Sequence, residues 1–146
     1  MAFKFTLAAV LKYREELEKR EERTLELRRE ALTRLETQLK EAQEQRRRLL
    51  EQRDSLLKNG MLGDDLAYAT EQEQQLKILE ADLRERISAA VLDYENQMQV
   101  FLVARQKREI LDELKNTKKE SYLAEQERRE QQTTDEIFIA RFNRET

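Results

Sequence analysis

The side chains that could do chemistry in this chain are nearly all carboxylates, guanidinium groups and amines. The sequence contains 31 Asp and Glu residues and 28 Lys and Arg residues, but no His and no Cys. The usual general base, the usual thiol nucleophile and an ordinary zinc site are therefore all lacking. We expect the carboxylates to lie on solvated helices, with unshifted pKa values and no cavity to hold a substrate. The sequence predicts a protein that is not an enzyme and that holds no cofactor or metal.

A phosphate-binding loop is not indicated either. The two glycines of the chain, Gly60 and Gly63, lack the spacing of the Walker sequence, and no strand is predicted before them. If the chain serves an ATP-driven machine, we expect it to act by contacting the enzyme that hydrolyses ATP.

Two arginines occupy positions where apolar residues are expected. Leu25, Leu32 and Leu39 repeat every seven residues, and Arg46 and Arg53 continue the same row. These arginines could form a basic site for an acidic partner. Alternatively, they could pack their aliphatic stems on the seam and extend their charged ends into water. We favour the second interpretation, which implies a looser seam in this part of the helix.

The elements that position these residues are predicted to be two long helices. Charged residues make up 40% of the chain, aromatic residues make up 6%, and Pro is absent. A companion to the leucine row lies three positions further on, at Leu35, Ala42, Leu49 and Leu56. The two rows define a seam with a period of about 3.5 residues, which is typical of a left-handed coiled coil. The predicted fold is all-α, with two long antiparallel helices forming a coiled-coil hairpin.

The bend of the hairpin is predicted at residues 59–65, which contain both glycines. A glycine adopts the left-handed conformation that closes a helix at little steric cost. Asp64 or Asp65 can then cap the next helix, because a carboxylate suits the positive end of the helix dipole.

We expect one coiled-coil domain over residues 1–146, with the first helix at about 7–58 and the second at about 65–142. If the chain turns near the middle of the bend, two residues lie side by side on the antiparallel helices when their numbers sum to about 123. Residues 118–146 are then left as an overhanging helical segment without a facing helix.

The overhanging segment ends in a cluster of apolar residues. This cluster consists of Ile137, Phe138, Ile139, Ala140 and Phe142. It could belong to a frayed terminus in which the apolar residues have no role. It could equally be a docking segment that folds against another protein. The residues alone leave both interpretations open.

A second set of apolar residues exceeds what one facing helix can cover. It consists of Val91, Leu92, Val100, Leu102 and Val103. An exposed apolar patch of this kind usually marks an interaction site.

The two ends of the sequence carry a more specific pattern. The start reads Phe3-Lys4-Phe5-Thr6-Leu7, followed by Val10-Leu11 and Arg14. The end contains, in order, Leu114-Lys115, Tyr122-Leu123, Glu127, Arg129, Glu130-Gln131, Asp135-Glu136 and Arg141-Phe142. In order and spacing the sequence resembles the flagellar export protein family FliJ over its whole length. Gln132 stands where that family usually has Lys.

The resemblance implies a component of the flagellar type III protein export apparatus that is similar to the central stalk of rotary ATPases. It implies three kinds of partner: the hexameric export ATPase FliI, the export-gate protein FlhA and empty export chaperones. In that role, residues around 3–14 and 118–142 would lie inside the ATPase ring, and the tip around 42–85 would reach the gate. The candidate ring-binding residues are Phe3, Phe5, Leu7, Arg14, Tyr122, Arg129, Asp135, Glu136, Phe138, Arg141 and Phe142.

Two other classes of function compete with an export role, namely a structural scaffold and a binder of nucleic acid or anionic membranes. A self-associating structural scaffold would bury Val91, Leu92, Val100 and Leu102 between copies of the chain. A nucleic-acid or anionic-membrane binder is disfavoured by the net charge of −3 and by the alternation of charge signs. We expect a monomer. Because neither a secretory signal nor a long apolar run is found, we expect an intracellular protein. The resemblance implies a place in the cytoplasm, at the inner face of the cell membrane, where its partners hold it.

Overall fold

The protein consists of two long helices. In the computed structural model, residues 2–60 and 63–145 are described. These residues form α1 (Ala8–Lys58) and α2 (Gly63–Glu145), and they contain no strand. The helices pack against each other, which confirms the predicted all-α hairpin. Because the sequence is rich in Glu, Arg, Lys, Leu and Gln and lacks Pro, nothing interrupts either helix.

The bend is shorter than the predicted range of 59–65. Helix α2 begins at Gly63, so that Asp64 and Asp65 lie in its first turn. Carboxylates at this position are stabilised by the unpaired backbone N–H groups and by the helix dipole. Met61 and Leu62, which we expected to add apolar packing to the bend, lie outside the described residues.

Gly60 closes α1 as the sequence predicts. Its φ is 82°, in the left-handed region. Among the described residues, Gly60 alone has a positive φ. The backbone N–H of Asn59 donates to the carbonyl oxygen of Leu56 at 3.1 Å, which closes the last turn of α1. The bend therefore depends on a conformation that glycine adopts with little strain.

Replacing Gly60 with Ala is expected to destabilise the hairpin by about 1 kcal/mol, because an L side chain in the left-handed conformation is strained by roughly that amount. Gly63→Ala is the matched control, since no neighbouring atom lies within 4 Å of the added Cβ. Within a helix, Ala is favoured over Gly. The midpoints of urea denaturation should therefore shift in opposite directions, and equal shifts would contradict the assigned role of Gly60.

The chain divides into two compact units. One comprises Met1–Lys19 and Leu102–Thr146, and is named the terminal unit; the other comprises Arg20–Phe101, and is named the tip unit. Few apolar side chains are buried in the described residues: Phe5, Leu11 and Ala104 in the terminal unit, and Ala42, Ala69 and Leu83 in the tip unit. Since half of these are alanines, each large buried side chain contributes a large share of the stability.

Contacts in the tip unit agree with the predicted register of the two helices. The predicted level places Arg46 beside residue 77, and its Nη1 donates to Glu80 Oε2 at 3.2 Å. The same level places Glu21 beside residue 102, and its backbone oxygen accepts from Gln97 Nε2 at 3.1 Å. The two contacts lie on either side of the predicted level, as expected for long side chains that reach along the seam.

Candidate partner-binding surfaces

The last part of α2 is exposed along its length. Every residue from 126 to 145 is exposed, and we name this segment the terminal surface. Its large apolar side chains are all at least half exposed, with Phe138 at 69%; the others are Ile137, Ile139 and Phe142. The structure thus places the apolar cluster found in the sequence on a helix and in contact with solvent.

These four side chains extend around much of the helix. Successive residues of an α-helix are about 100° apart, so Ile137 and Ile139 lie on opposite sides of Phe138. Phe142 lies one turn beyond Phe138 and close to the same line. The apolar arc therefore spans about 200°, which is wider than the stripe that one facing helix covers. A partner that encloses the helix would cover all four side chains.

Local polar contacts support the helix at the terminal surface. The guanidinium group of Arg128 donates to both carboxylate oxygens of Glu125, at 3.1 and 2.7 Å, and Arg129 lies 3.4 Å from the same carboxylate. The hydrogen bond from Arg128 holds the pKa of Glu125 below its usual value. The hydroxyl groups of Thr133 and Thr134 donate to carbonyl oxygens four residues earlier, each at 2.9 Å. The ion pairs add only a few tenths of a kcal/mol each, roughly, whereas threonine hydroxyl groups that bond to the carbonyl four residues earlier do not stabilise a helix.

The N-terminal segment packs within the terminal unit. Phe5 is buried, with 8% of its surface exposed, and its carbonyl oxygen accepts from the N–H of Ala8 where α1 begins. The rings of Phe3 and Tyr122 lie 5.6 Å apart between centroids, at an angle of 47°. This tilted geometry is a favourable one for an aromatic pair. Of the predicted ring-binding residues, Phe5 is thus the least accessible to a partner.

The remaining predicted ring-binding residues vary in accessibility. Leu7 is about one-third exposed, and Arg14 is half-buried with its guanidinium group 5.5 Å from the centre of the Tyr13 ring. The predicted polar ring-binding residues on the terminal surface are all exposed; they are Arg129, Asp135, Glu136 and Arg141. The structure brings together Phe3 and Tyr122, while Phe138 lies about four turns further along α2 than Tyr122.

The second predicted apolar patch is largely exposed. In the tip unit Leu92 and Val100 are exposed, whereas Val91 is half-buried. In the terminal unit Leu102 and Val103 are exposed. Ile78 and Ile110 are also exposed, although neither belongs to the apolar patch predicted from the sequence. Each of them precedes a leucine of the predicted seam, Leu79 or Leu111, so neither isoleucine stands out as part of a separate apolar cluster in the sequence.

A groove lies between the helices of the tip unit. It encloses about 470 Å³ and is named the tip groove. It is lined by four glutamines, three leucines and one arginine: Gln45, Gln52, Gln72, Gln75, Leu49, Leu76, Leu79 and Arg48. A mixture of apolar surface and amide groups suits a peptide, because amides can pair with the groups of another backbone.

The charged ends of Arg46 and Arg53 pair with glutamates of α2, although both side chains keep some exposure, so our interpretation that these ends extend into water was wrong. Arg53 Nη1 donates to Glu73 Oε2 at 2.8 Å, and Arg46 bonds to Glu80, which is only 2% exposed. We name these four residues the seam charge cluster. The sequence held a signal for the glutamates, since Glu73 and Glu80 precede the seam residue Ile87 by two heptads and one heptad.

A similar polar contact crosses the seam of the terminal unit. Arg108 donates to both carboxylate oxygens of Glu18, at 2.6 and 3.2 Å, and to Asp112 Oδ2 at 2.7 Å. These hydrogen bonds raise the pKa of Arg108 above its usual value. The arginine therefore stays charged and joins α1 to α2 in this unit.

The expectation of unshifted carboxylate pKa values was wrong in two places. One is Glu125, described above. The other is Glu44, whose pKa is lowered to about 2, mainly because Arg47 donates hydrogen bonds to its carboxylate and also because Arg48 donates another. Both shifts favour the ionised form, so neither group is poised to take up or release a proton near neutral pH. The contacts support surface helix structure and give no indication of acid–base catalysis.

Two further findings concern the described residues. They contain no group of three or more His, Cys, Asp or Glu side chains that could hold a metal ion. Within the same residues, neither helix has a stretch long and apolar enough to cross a bilayer.

Comparison with known protein families identifies the family of this chain. The family described as flagellar FliJ protein matches residues 3–146. The chain belongs to the FliJ family. Membership confirms the resemblance seen at the two ends and associates the chain with flagellum biogenesis and protein export. Neither the curated proteins nor the solved structures contain a significant match to the sequence.

Proposed function

We propose that this FliJ-family chain is a stalk-like adaptor of the flagellar export apparatus, without catalytic activity of its own. Its terminal surface binds inside the ring of the export ATPase FliI, its tip engages the export-gate protein FlhA, and it escorts export chaperones. It works in the cytoplasm, at the inner face of the cell membrane, and is held there by its partners. FliJ-family membership supports the general setting, and the structure supplies compatible surfaces.

The observation that carries the proposal is the terminal surface. A solvated helix with apolar side chains over an arc of about 200° suits a partner that surrounds it, as the inner wall of a ring does. Exposed aromatic side chains are also frequent anchors of protein interfaces. Charged residues lie among the apolar ones, so the surface can stay in solution before the partner arrives.

The tip groove supports the proposal for the gate. It lies within residues 42–85, which the resemblance assigns to the gate contact, and it combines leucines with glutamine amides. Tyr68 is exposed in the same part of the tip unit, and its hydroxyl oxygen accepts from Gln72, a residue that lines the groove. A short apolar peptide segment of a gate protein is the kind of ligand that this surface fits.

The proposal can be tested by measuring both partners against variants of both surfaces. In the terminal variant Phe138 and Ile139 are replaced by Ala; in the tip variant Tyr68 is replaced by Ala. We expect the terminal variant to weaken binding to the purified ATPase at least about tenfold, since loss of interface anchors costs roughly 2 kcal/mol or more. Its binding to the cytoplasmic part of the gate protein should not change. The tip variant should show the reverse pattern.

Ile110→Ala provides the matched control, because Ile110 is as exposed as Ile139 and lies on the same helix outside both surfaces. It should bind both partners as the unmodified chain does. If the terminal variant bound the ATPase with unchanged affinity, the assignment of the terminal surface would be wrong.

The competing function is a self-associating scaffold, and the exposure of Leu92 and Val100 is the observation in its favour. Sedimentation velocity separates the two. We expect a monomer at micromolar concentration, whereas a scaffold would sediment as a dimer or larger assembly.

A further inference from the structure

Four charged side chains interrupt the apolar seam of the tip unit. Arg46 and Arg53 are one heptad apart on α1, and Glu80 and Glu73 are one heptad apart on α2. Arg53 bonds to Glu73 at 2.8 Å and Arg46 bonds to Glu80 at 3.2 Å, while Arg46 also lies 4.0 Å from Glu73. The four groups thus form one connected cluster that crosses the interface.

Stability alone does not explain this cluster. Glu80 is buried, and its Oε1 atom has no hydrogen-bond partner; the same is true of Arg46 Nε. Removing charges from water is costly, and a buried ion pair is often no more stable than a pair of apolar residues of the same size. Buried polar groups in coiled coils are better known for selecting one pairing and register over others.

The cluster distinguishes the observed register from its neighbours. If α2 slid by one heptad in one direction, Glu80 would lie level with Leu39. If it slid in the other direction, Arg46 would lie level with Ile87. Either shift keeps only one Arg–Glu pair and places another charge of the cluster against an apolar side chain of the seam, whereas a continuous leucine seam would accept both registers.

The cluster also distinguishes pairing of α1 with α2 from pairing of α1 with a second copy of itself. A parallel pair of α1 helices in register would place Arg46 against Arg46 and Arg53 against Arg53. A parallel pair of α2 helices would place Glu73 and Glu80 against their own copies. Like charges at these positions repel each other across a partly dry interface.

We propose that the seam charge cluster is a specificity device that commits α1 to α2 of the same chain in a single register and keeps the leucine seam from self-association. The device works by disfavouring the alternatives and not by adding stability to the native pairing. This inference is independent of which partners the surfaces bind.

The test replaces the whole cluster with leucine, as Arg46→Leu, Arg53→Leu, Glu73→Leu and Glu80→Leu in the full chain. The register is read from the distance between spin labels on Gln43→Cys and Glu85→Cys. Both positions are exposed, and the chain has no other cysteine. A slip by one heptad displaces one label along the axis by about 10 Å. Sedimentation velocity reports the oligomeric state.

We expect the leucine variant to melt at a temperature equal to or higher than that of the unmodified chain, but to give several label distances or a mixture of monomer and larger species. A reversed variant, with Glu at both arginine positions and Arg at both glutamate positions, should restore one distance and the monomer. It also carries Gln in place of Lys77 and Arg84, because these cations pair with Glu73 and Glu80 at 3.5 and 3.9 Å and would repel the new arginines. The matched control replaces with Ala four charges that pair with one another within α1 and not across the seam, at Glu44, Arg47, Arg48 and Glu51. It should keep one distance and the monomer.

Two results would overturn the proposal. One is a leucine variant that stays monomeric with a single, unchanged label distance. The other is a reversed variant that forms oligomers or loses the single distance while the Ala control does not. If the leucine variant were instead unfolded, the cluster would be essential for stability and the proposal would also be wrong.

Discussion

Leu83→Asp is expected to abolish most of the helical circular dichroism signal at 25 °C, because it places a carboxylate at one of the most buried positions of the tip unit. Leu83 is only 3% exposed, and the other apolar residues buried in this unit are alanines. A charge without a partner at such a site costs more than about 4 kcal/mol, adding to the lost burial of the leucine side chain. A hairpin with so thin a core is expected to have a total stability near the lower end of roughly 5–15 kcal/mol.

Ile78→Asp is the matched control for this prediction. Ile78 lies on the same helix five residues earlier, but 61% of its surface is exposed. The control introduces the same carboxylate into water, so its helical signal and melting temperature should stay close to those of the unmodified chain. If both variants kept the full signal, the packing of Leu83 against α1 would not be what stabilises the tip unit.

Deleting residues 126–146 is expected to abolish binding to the export ATPase while leaving the hairpin folded. The cut follows Glu125, so the contact between the aromatic rings of Phe3 and Tyr122 is kept. Every described residue from 126 to 145 is exposed, so the deletion removes none of the buried apolar side chains of the terminal unit. The helical signal should fall only in proportion to the residues removed, and the melting temperature should not change measurably.

The binding half of this prediction is measured by calorimetric titration of the ATPase with the shortened chain. We expect no detectable heat under conditions where the full chain gives a clear isotherm, because the deletion removes all four apolar side chains of the terminal surface. A shortened chain that bound as tightly as the full one would exclude the terminal surface as the ATPase contact. Binding lost together with the fold would show that this segment supports the hairpin.

Much of the fold could be predicted because the decisive signals are local. The seven-residue spacing of Leu25, Leu32 and Leu39 defines a helix face from sequence alone, and a glycine between two helical runs marks a bend. Antiparallel pairing then follows from chain connectivity, since a short bend leaves the two helices no other neighbour. The apolar cluster at Phe138 could be placed on a helix by the same reasoning.

The seam charge cluster could not be predicted in the same way. Whether Arg46 extends into water or crosses the interface depends on which side chain lies opposite, and that residue is 34 positions away in the sequence. The burial of Phe5 has the same origin, because it depends on the fold of the segment that precedes α1. The pKa of Glu44 is lowered because the side-chain conformations of Arg47 and Arg48 bring their guanidinium groups to its carboxylate, and a sequence does not specify those conformations.

The width of the apolar arc at the terminal surface has a calorimetric consequence. Its isoleucine and phenylalanine side chains are hydrated in the free chain, and a partner that encloses the helix would strip water from all of them at once. Transfer of apolar groups out of water lowers the heat capacity. Association should therefore grow steadily more exothermic as the temperature of the titration is raised, with a slope that becomes shallower when Phe138 is shortened to Ala.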